Sequence, residues 1–283
     1  MKVLPFKIPK PENNALIYQE DKGIAFYNKL HQHEEIQISI ILKGEGDLVV
    51  GDTINRYTEN DIVVIGSNLP HLFRSDSTSE LDSSMLTLFF TKESFGKFFF
   101  DLIELKELET FFRKVDAGIR LLDHKEEVKS TFLVLKNSSH LERFIHFLNI
   151  LKHITKSKTE ALSSFIYQRI YSEDEGARMS NVMNHAMAEF NHDISLNEIA
   201  EIANMTPNAF CRYFKQRTNK TFFQFLTEIR LEHSCRLIVK NKDISIAEVS
   251  DLSGFKNMSN FNRKFKHYKG ITPTSFRKSS SLV

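Results

Sequence analysis

Apolar and polar positions alternate along Ile36-Gln37-Ile38-Ser39-Ile40, and short apolar runs follow at Asp47-Leu48-Val49-Val50 and Asp61-Ile62-Val63-Val64-Ile65. Lys43-Gly44-Glu45-Gly46, Gly51-Asp52 and Gly66-Ser67-Asn68 punctuate them. Short runs of period two with close turn signals predict many strands between about Leu16 and Phe90, packed as a sandwich or small barrel. From about Lys92 to Tyr171 the period changes. Ser139-His140-Leu141-Glu142 is a capping box, which satisfies two orphan amides reciprocally at a helix start. Beyond it Leu141, Phe144, Ile145, Leu148, Leu151 and Ile154 recur at three- and four-residue steps, one face of a helix. In a chain with 25 Phe and no Trp, the stretch Phe95-Gly96-Lys97-Phe98-Phe99-Phe100 is expected to serve packing. Ser172-Glu173-Asp174-Glu175-Gly176 is short and polar. It predicts a linker over 172–179, between a first domain at 1–171 and an all-α second domain at 180–283.

The second domain contains a duplication. Ile194-Ser195-Leu196-Asn197-Glu198-Ile199 returns fifty residues later as Ile244-Ser245-Ile246-Ala247-Glu248-Val249. Ser195 with Glu198, and Ser245 with Glu248, form capping boxes. Leu196, Ile199, Ala200 and Ala203 give the first copy an apolar stripe, and Ile246, Val249 and Leu252 give one to the second. Tight turns follow at Asn204-Met205 and Gly254-Phe255. Thr206-Pro207 starts the next helix of the first copy with a cap and a proline at the first helical position, and Asn257 is the expected cap in the second. Between the copies Thr221-Phe222-Phe223-Gln224 is a further capping box, and its helix is expected to run to about Lys240.

On a helical wheel Phe210, Tyr213 and Phe214 turn inward, while Asn208, Cys211, Arg212 and Lys215 share the opposite face. In the second copy Phe261, Phe265 and Tyr268 turn inward and Ser259, Asn262, Arg263 and Lys266 outward. Arginine pairs bidentately with guanine and asparagine with adenine, so both outward faces suit the base edges of duplex DNA. Lys215, Arg217, Lys220, Lys264, Lys266 and Lys269 are expected at phosphates, which position without specifying. A solvated basic face on an ordinary helical bundle is the plain alternative, and two matched copies count against it.

Composition adds two constraints. Hydrophobic content of 41% and charged content of 26% are ordinary for a soluble globular chain. There is no run of about 18 apolar residues and no signal-like start, and Cys211 and Cys235 are too few for a disulfide framework. A reducing cytoplasm and no membrane contact are expected. From Ser180 onward 15 Lys and Arg face 9 Asp and Glu, a net +6, which leaves −4 for residues 1–179 of a chain whose total is +2. That asymmetry suits a basic domain meeting phosphate.

Ile194 through Arg277 resembles the DNA-binding domain of AraC/XylS-type bacterial transcription regulators. The resemblance rests on Gly254-Phe255, Phe261, Arg263, Phe265 and Lys266, then Gly270-Ile271-Thr272-Pro273 and Phe276-Arg277. It implies base contacts at Asn208, Cys211 and Arg212 in the first copy, and at Met258, Ser259, Asn262 and Arg263 in the second. Upstream, His31-Gln32-His33, Gln37 and Pro70-His71 look like the ligand spacing of a cupin barrel, with Gln37 where that pattern has glutamate. On one strand residues 31, 33 and 37 would share a face.

Two readings of these groups stand side by side. In the first, as in the cupin-like sensors of look-alike regulators, His31, His33, Gln37 and His71 line an effector pocket for a small molecule. A sugar is one family-level expectation, with no cofactor and no catalytic residue. In the second, His31, His33 and His71 hold a metal in a cupin enzyme or metal sensor fused to a DNA-binding tail. A structural nucleoid-binding protein is a third reading. Homodimerisation is expected through the helix after Ser139, since paired protomers gain avidity on repeated sites.

Overall fold

The structure is a computed structural model that describes residues 15–76, 83–164, 173–241 and 243–280. It divides into two compact units, Met1–Gly176 and Ala177–Val283. Among the described residues no helix is long and apolar enough to cross a membrane.

The first unit is built on two antiparallel sheets. Its strands are β1 (Ile17–Gly23), β2 (Ile36–Lys43), β3 (Gly46–Val50), β4 (Thr53–Tyr57), β5 (Ile62–Ile65), β6 (His71–Ser75), β7 (Ser83–Phe90), β8 (Ile119–Leu121) and β9 (Thr159–Ala161). The larger sheet has the order β1-β7-β2-β5-β8-β9 and the smaller β4-β3-β6. The two sheets share no strand pairing among the described residues, so the unit is a sandwich and the closed barrel is not formed. Ile41, Val63, Ile65 and Met85 of the large sheet pack with Leu48, Val50, Tyr57 and Phe73 of the small one. The opposite face of the large sheet carries Ile36, Ile38, Ile40, Leu86 and Leu88 under α1 (Glu109–Val115), α2 (Lys125–Val134) and α3 (His140–Lys156).

With both faces covered, the alternation in β2 takes a different meaning from the solvated face that period two usually signals. Its polar positions Gln37 and Ser39 are 3% and 0% exposed, so they line the interior between the sheets. The capping box of α3 forms as expected, Glu142 N–H donating to Ser139 Oγ and Ser139 N–H to Glu142 Oε2. The stripe on α3 is rotated from the expected one. Phe147, Ile150, Leu151 and Ile154 are buried, whereas Leu141 and Ile145 stand exposed. The phenylalanine stretch packs: the Phe95 ring lies 4.9 Å from Phe144 and 5.4 Å from Phe147.

One buried carboxylate clasps the end of this unit. Asp52 accepts from Ser163 Oγ at 2.8 Å, from Ser164 N at 3.0 Å and from Ser164 Oγ. Asn55 donates to the Leu162 carbonyl at 2.9 Å.

The second unit is helical: α4 (Glu173–Glu189), α5 (Leu196–Ile202), α6 (Pro207–Thr218), α7 (Phe222–Lys240), α8 (Ile246–Leu252), α9 (Met258–Lys269) and α10 (Pro273–Ser280). Helix α4 begins inside the expected linker, and the division between the units, at Gly176 and Ala177, also falls within 172–179. Residues 173–179 are the helix's first turns, because an acidic run is helix-start composition as well as loop composition; Ser172 lies outside the described residues. The capping boxes at Ser195, Thr221 and Ser245 all form, and α7 ends at Lys240.

Candidate nucleic-acid interface and histidine cavity

The two turns of the duplication repeat bond for bond. Ala203, Asn204 and Met205 donate their amides to Ile199, Glu201 and Ala200, at 3.2, 2.8 and 2.9 Å. Fifty residues later Ser253, Gly254 and Phe255 donate to Val249, Asp251 and Ser250, at 3.1, 2.8 and 3.0 Å. The central residue is left-handed in both, with φ 50° at Asn204 and 77° at Gly254. Each turn therefore delivers a second helix, α6 or α9, at a fixed angle to the first.

Caps set where those helices begin. Thr206 Oγ1 accepts from Ala209 N at 3.4 Å, and Pro207 occupies the first helical position. Asn257 Oδ1 accepts from Ser259 N at 2.8 Å and from Asn260 N at 3.1 Å. Phe210, Tyr213 and Phe214 are buried, as are Phe261 and Phe265, and Tyr268 is half-buried. Asn208, Cys211, Arg212 and Lys215 are exposed together on α6; Met258, Ser259, Asn262, Arg263 and Lys266 are exposed on α9. Arg263 donates to Asn260 Oδ1 at 2.9 Å, which aligns its guanidinium along the outer face.

The expected phosphate set divides. Lys215 and Lys266 are exposed, and Arg217 and Lys264 half-buried. Lys220 and Lys269 are drawn back onto α7, where their Nζ atoms lie 2.9 Å from Glu228 and 2.8 Å from Glu232. Both carboxylates are less than a fifth exposed. These ion pairs tie the end of each recognition helix to α7. The helices are anchored on opposite halves of α7: Phe214 packs on Phe222 and Phe225, while Phe261 and Phe265 pack with Leu231, Cys235 and Ile238.

The histidine group of the first unit converges as expected, by a different route. His31 and His33 precede β2, and the chain bends at Glu34-Glu35, so strand parity is not what aligns them. Instead His31 and His71 exchange both backbone hydrogen bonds, at 3.0 and 2.9 Å, and Asn68 N–H donates to the His33 carbonyl at 2.7 Å. Possible ligand atoms of His31, His33 and His71 thereby lie within 4.8 Å of one another. Gln37 Oε1 is 3.2 Å from Nε2 of both His33 and His71. Burial is the main cause that pushes the His31 imidazole down to about 4 and His71 well below its ordinary value, so both rings are neutral near pH 7.

Beside these rings lies a cavity of about 60 Å³, walled by Phe26, Tyr27, Phe73, Met85 and Phe89 with Gln19 and Asp21. Sequence reading missed Glu35, Ser39 and Thr87. Glu35 is 6% exposed with Oε2 3.7 Å from His33 Nδ1, and Ser39 links Gln37 to Thr87 through hydrogen bonds of 2.9 Å each. The alternation in β2 held the signal for Ser39.

Two family models match the chain, a Cupin domain over residues 22–87 and a Helix-turn-helix domain over residues 199–279. The uncharacterised HTH-type transcriptional regulator YdeC of Bacillus subtilis (strain 168) is 24% identical over 272 residues, 92% of this chain and 90% of that protein. The uncharacterised transcriptional regulatory protein YesN of the same organism is 37% identical over 75 residues, 26% of this chain and 20% of that one. Among solved structures, ToxT from Vibrio cholerae O395 aligns with 95% of this chain and 99% of its own, at 12% identity and a TM-score of 0.40. The chain joins an N-terminal cupin domain to a C-terminal AraC-type helix–turn–helix domain, the make-up of a DNA-binding transcription regulator.

Proposed function

We propose that the regulator reads two neighbouring major grooves of duplex DNA through the outward faces of α6 and α9, while the histidine cavity of its cupin domain receives a small-molecule effector. The observation that carries this reading is the duplicated geometry, which leaves Arg212 and Arg263 exposed beside Asn208, Cys211, Met258, Ser259 and Asn262. Arginine and asparagine supply base-edge hydrogen bonds, and Cys211 and Met258 suit the methyl group of thymine. Lys215, Arg217, Lys264 and Lys266 take the phosphates. At about 1.5 Å per residue the 19 residues of α7 span about 28 Å, close to the roughly 34 Å between grooves on one face of B-DNA.

The cupin domain acts as a sensor rather than an enzyme, and the protein works in the cytoplasm. An effector that binds better in one arrangement of the chain shifts the population toward it. The Asp52 clasp supports a route for that shift, since β3 joins it to the cavity: Val50 pairs with His71, and Gly51 N–H donates to the Pro70 carbonyl at 2.8 Å. Exposed Leu141 and Ile145 on α3 support a homodimer.

Selection of the full chain against random duplexes tests the reading. It should recover a site preferred by at least about 10³-fold over unrelated sequence; equal affinity for all duplexes would favour a nucleoid-type role. Lys215→Ala should weaken every duplex alike and flatten the salt dependence of binding by about one unit of log–log slope. A loss confined to one base pair would contradict its phosphate role.

A further inference from the structure

The two recognition helices match in cap, turn and buried face, and they differ in how each holds its arginine. In α9 the cap Asn257 accepts from the amide of Asn260, and in α6 the cap Thr206 accepts from the amide of Ala209. Asn260 and Ala209 therefore occupy the same helical position, and Arg263 and Arg212 each follow three residues later, one turn along the same side. In α9 that position carries an acceptor, and Arg263 Nη2 donates to Asn260 Oδ1 at 2.9 Å. In α6 it carries a methyl group, and among the described residues no side-chain hydrogen bond or ion pair holds the exposed Arg212 guanidinium.

The difference bears on discrimination between bases. An exposed arginine samples many rotamers, and fixing one of them opposes any contact it makes with DNA. The bond to Asn260 narrows that choice before the duplex arrives. It uses one Nη2 proton and leaves the other beside a neighbouring N–H, a side-by-side pair of the kind that guanine O6 and N7 accept. A held guanidinium loses its whole contact when the base changes, because turning to another acceptor first breaks the bond to Asn260. The Arg212 guanidinium swings to a nearby phosphate or a neighbouring base, and so recovers part of what the changed base removes. Specificity is a difference between affinities, so the held arginine contributes more to it than the loose one.

We propose that Asn260 is a positioning residue for base discrimination: by holding Arg263 it makes α9 the strict reader of the DNA site, while Ala209 leaves α6 the tolerant one. The preferred duplex then has one half in which a base change is heavily penalised and another that admits variants. This rests on the reading of α6 and α9 as base-contacting helices, and goes beyond it in ranking them and in naming the residue that sets the rank.

The test measures the affinity of the full chain for its selected duplex and for every single-base variant, with discrimination taken as the ratio of the preferred base to its best competitor. The base pair that each arginine reads is the one whose preference its alanine variant flattens. Asn260→Ala should lower discrimination at the Arg263 base pair about threefold and leave the Arg212 base pair as in the wild type. Ala209→Asn should raise discrimination at the Arg212 base pair by about the same factor. In an Arg263→Ala background Asn260→Ala should change nothing, because Asn260 acts through the arginine. Circular dichroism checks the fold of each variant, and Ala209→Asn decides independently if Asn260→Ala weakens the helix. Discrimination unchanged in Asn260→Ala, an equal loss on every duplex, or an Ala209→Asn protein with wild-type preference overturns the proposal. So does a further loss at another base pair in the Arg263→Ala background, which would mean that Asn260 touches DNA itself. A wild type with no preferred duplex contradicts the reading of the two helices, and the proposal falls with it.

Discussion

Replacing Phe265 by alanine is expected to destabilise the helix–turn–helix unit by about 3–5 kcal/mol, enough to remove DNA binding near body temperature. Phe265 is fully buried, with Phe261 at 5.6 Å on one side and Phe276 at 5.6 Å on the other. Its ring joins α9 to α10 and to the apolar face of α7. Truncation forfeits the transfer free energy of the ring and leaves a cavity whose walls are side chains of three helices, which cannot all close on it. Phe223, on the same scaffold but 46% exposed, is the control, and Phe223→Ala should cost no more than about 1 kcal/mol. Urea titration followed by helix circular dichroism measures both. Equal midpoints for the two variants would mean that the second recognition helix does not depend on this core.

Gly254→Ala is expected to cost more than about 2 kcal/mol, far beyond the usual effect of adding one methyl group. The residue has φ 77°, where a side chain alone costs roughly 1–2 kcal/mol. Space is the second obstacle. A Cβ at this position would lie 2.8 Å from both the Asn191 Cα and the Phe190 carbonyl oxygen, and 3.0 Å from Arg230 Nε. The first two are backbone, and Arg230 is held by the Phe190 and His192 carbonyls at 2.6 and 2.8 Å. Relief therefore requires the turn to shift, and with it the direction of α9. Asn204 occupies the same place in the first copy with φ 50°, and Asn204→Ala should cost no more than about 2 kcal/mol. Thermal unfolding with DNA affinity checks the pair; a Gly254→Ala protein of wild-type stability would show that the turn is soft.

Legibility followed how local each signal was. Capping boxes, the Thr206-Pro207 start and the matched turns depend on residues a few positions apart, and each formed where the sequence put it. The wheel assignments of Phe210, Phe214, Phe261 and Phe265 held because a duplicated pattern has only one face that both copies can bury. The ion pairs of Lys220 and Lys269 were not legible, since their partners Glu228 and Glu232 lie 8 and 37 residues away. The histidines were found by type, but their convergence comes from the non-local bridge between His31 and His71, which no periodicity encodes. Gln37 was picked out by ligand-like spacing, whereas Ser39, on the same face of β2, becomes an interior residue only because the second sheet packs over it.

The most direct measurement is the affinity of the Arg212→Ala and Arg263→Ala proteins for every single-base variant of the selected site. Each substitution should cost about 1–3 kcal/mol and flatten base preference at one position, with the two flattened positions one helical turn of DNA apart. Wild-type discrimination in both proteins, or loss of preference at the same base pair, would contradict the assignment of α6 and α9 as twin reading helices.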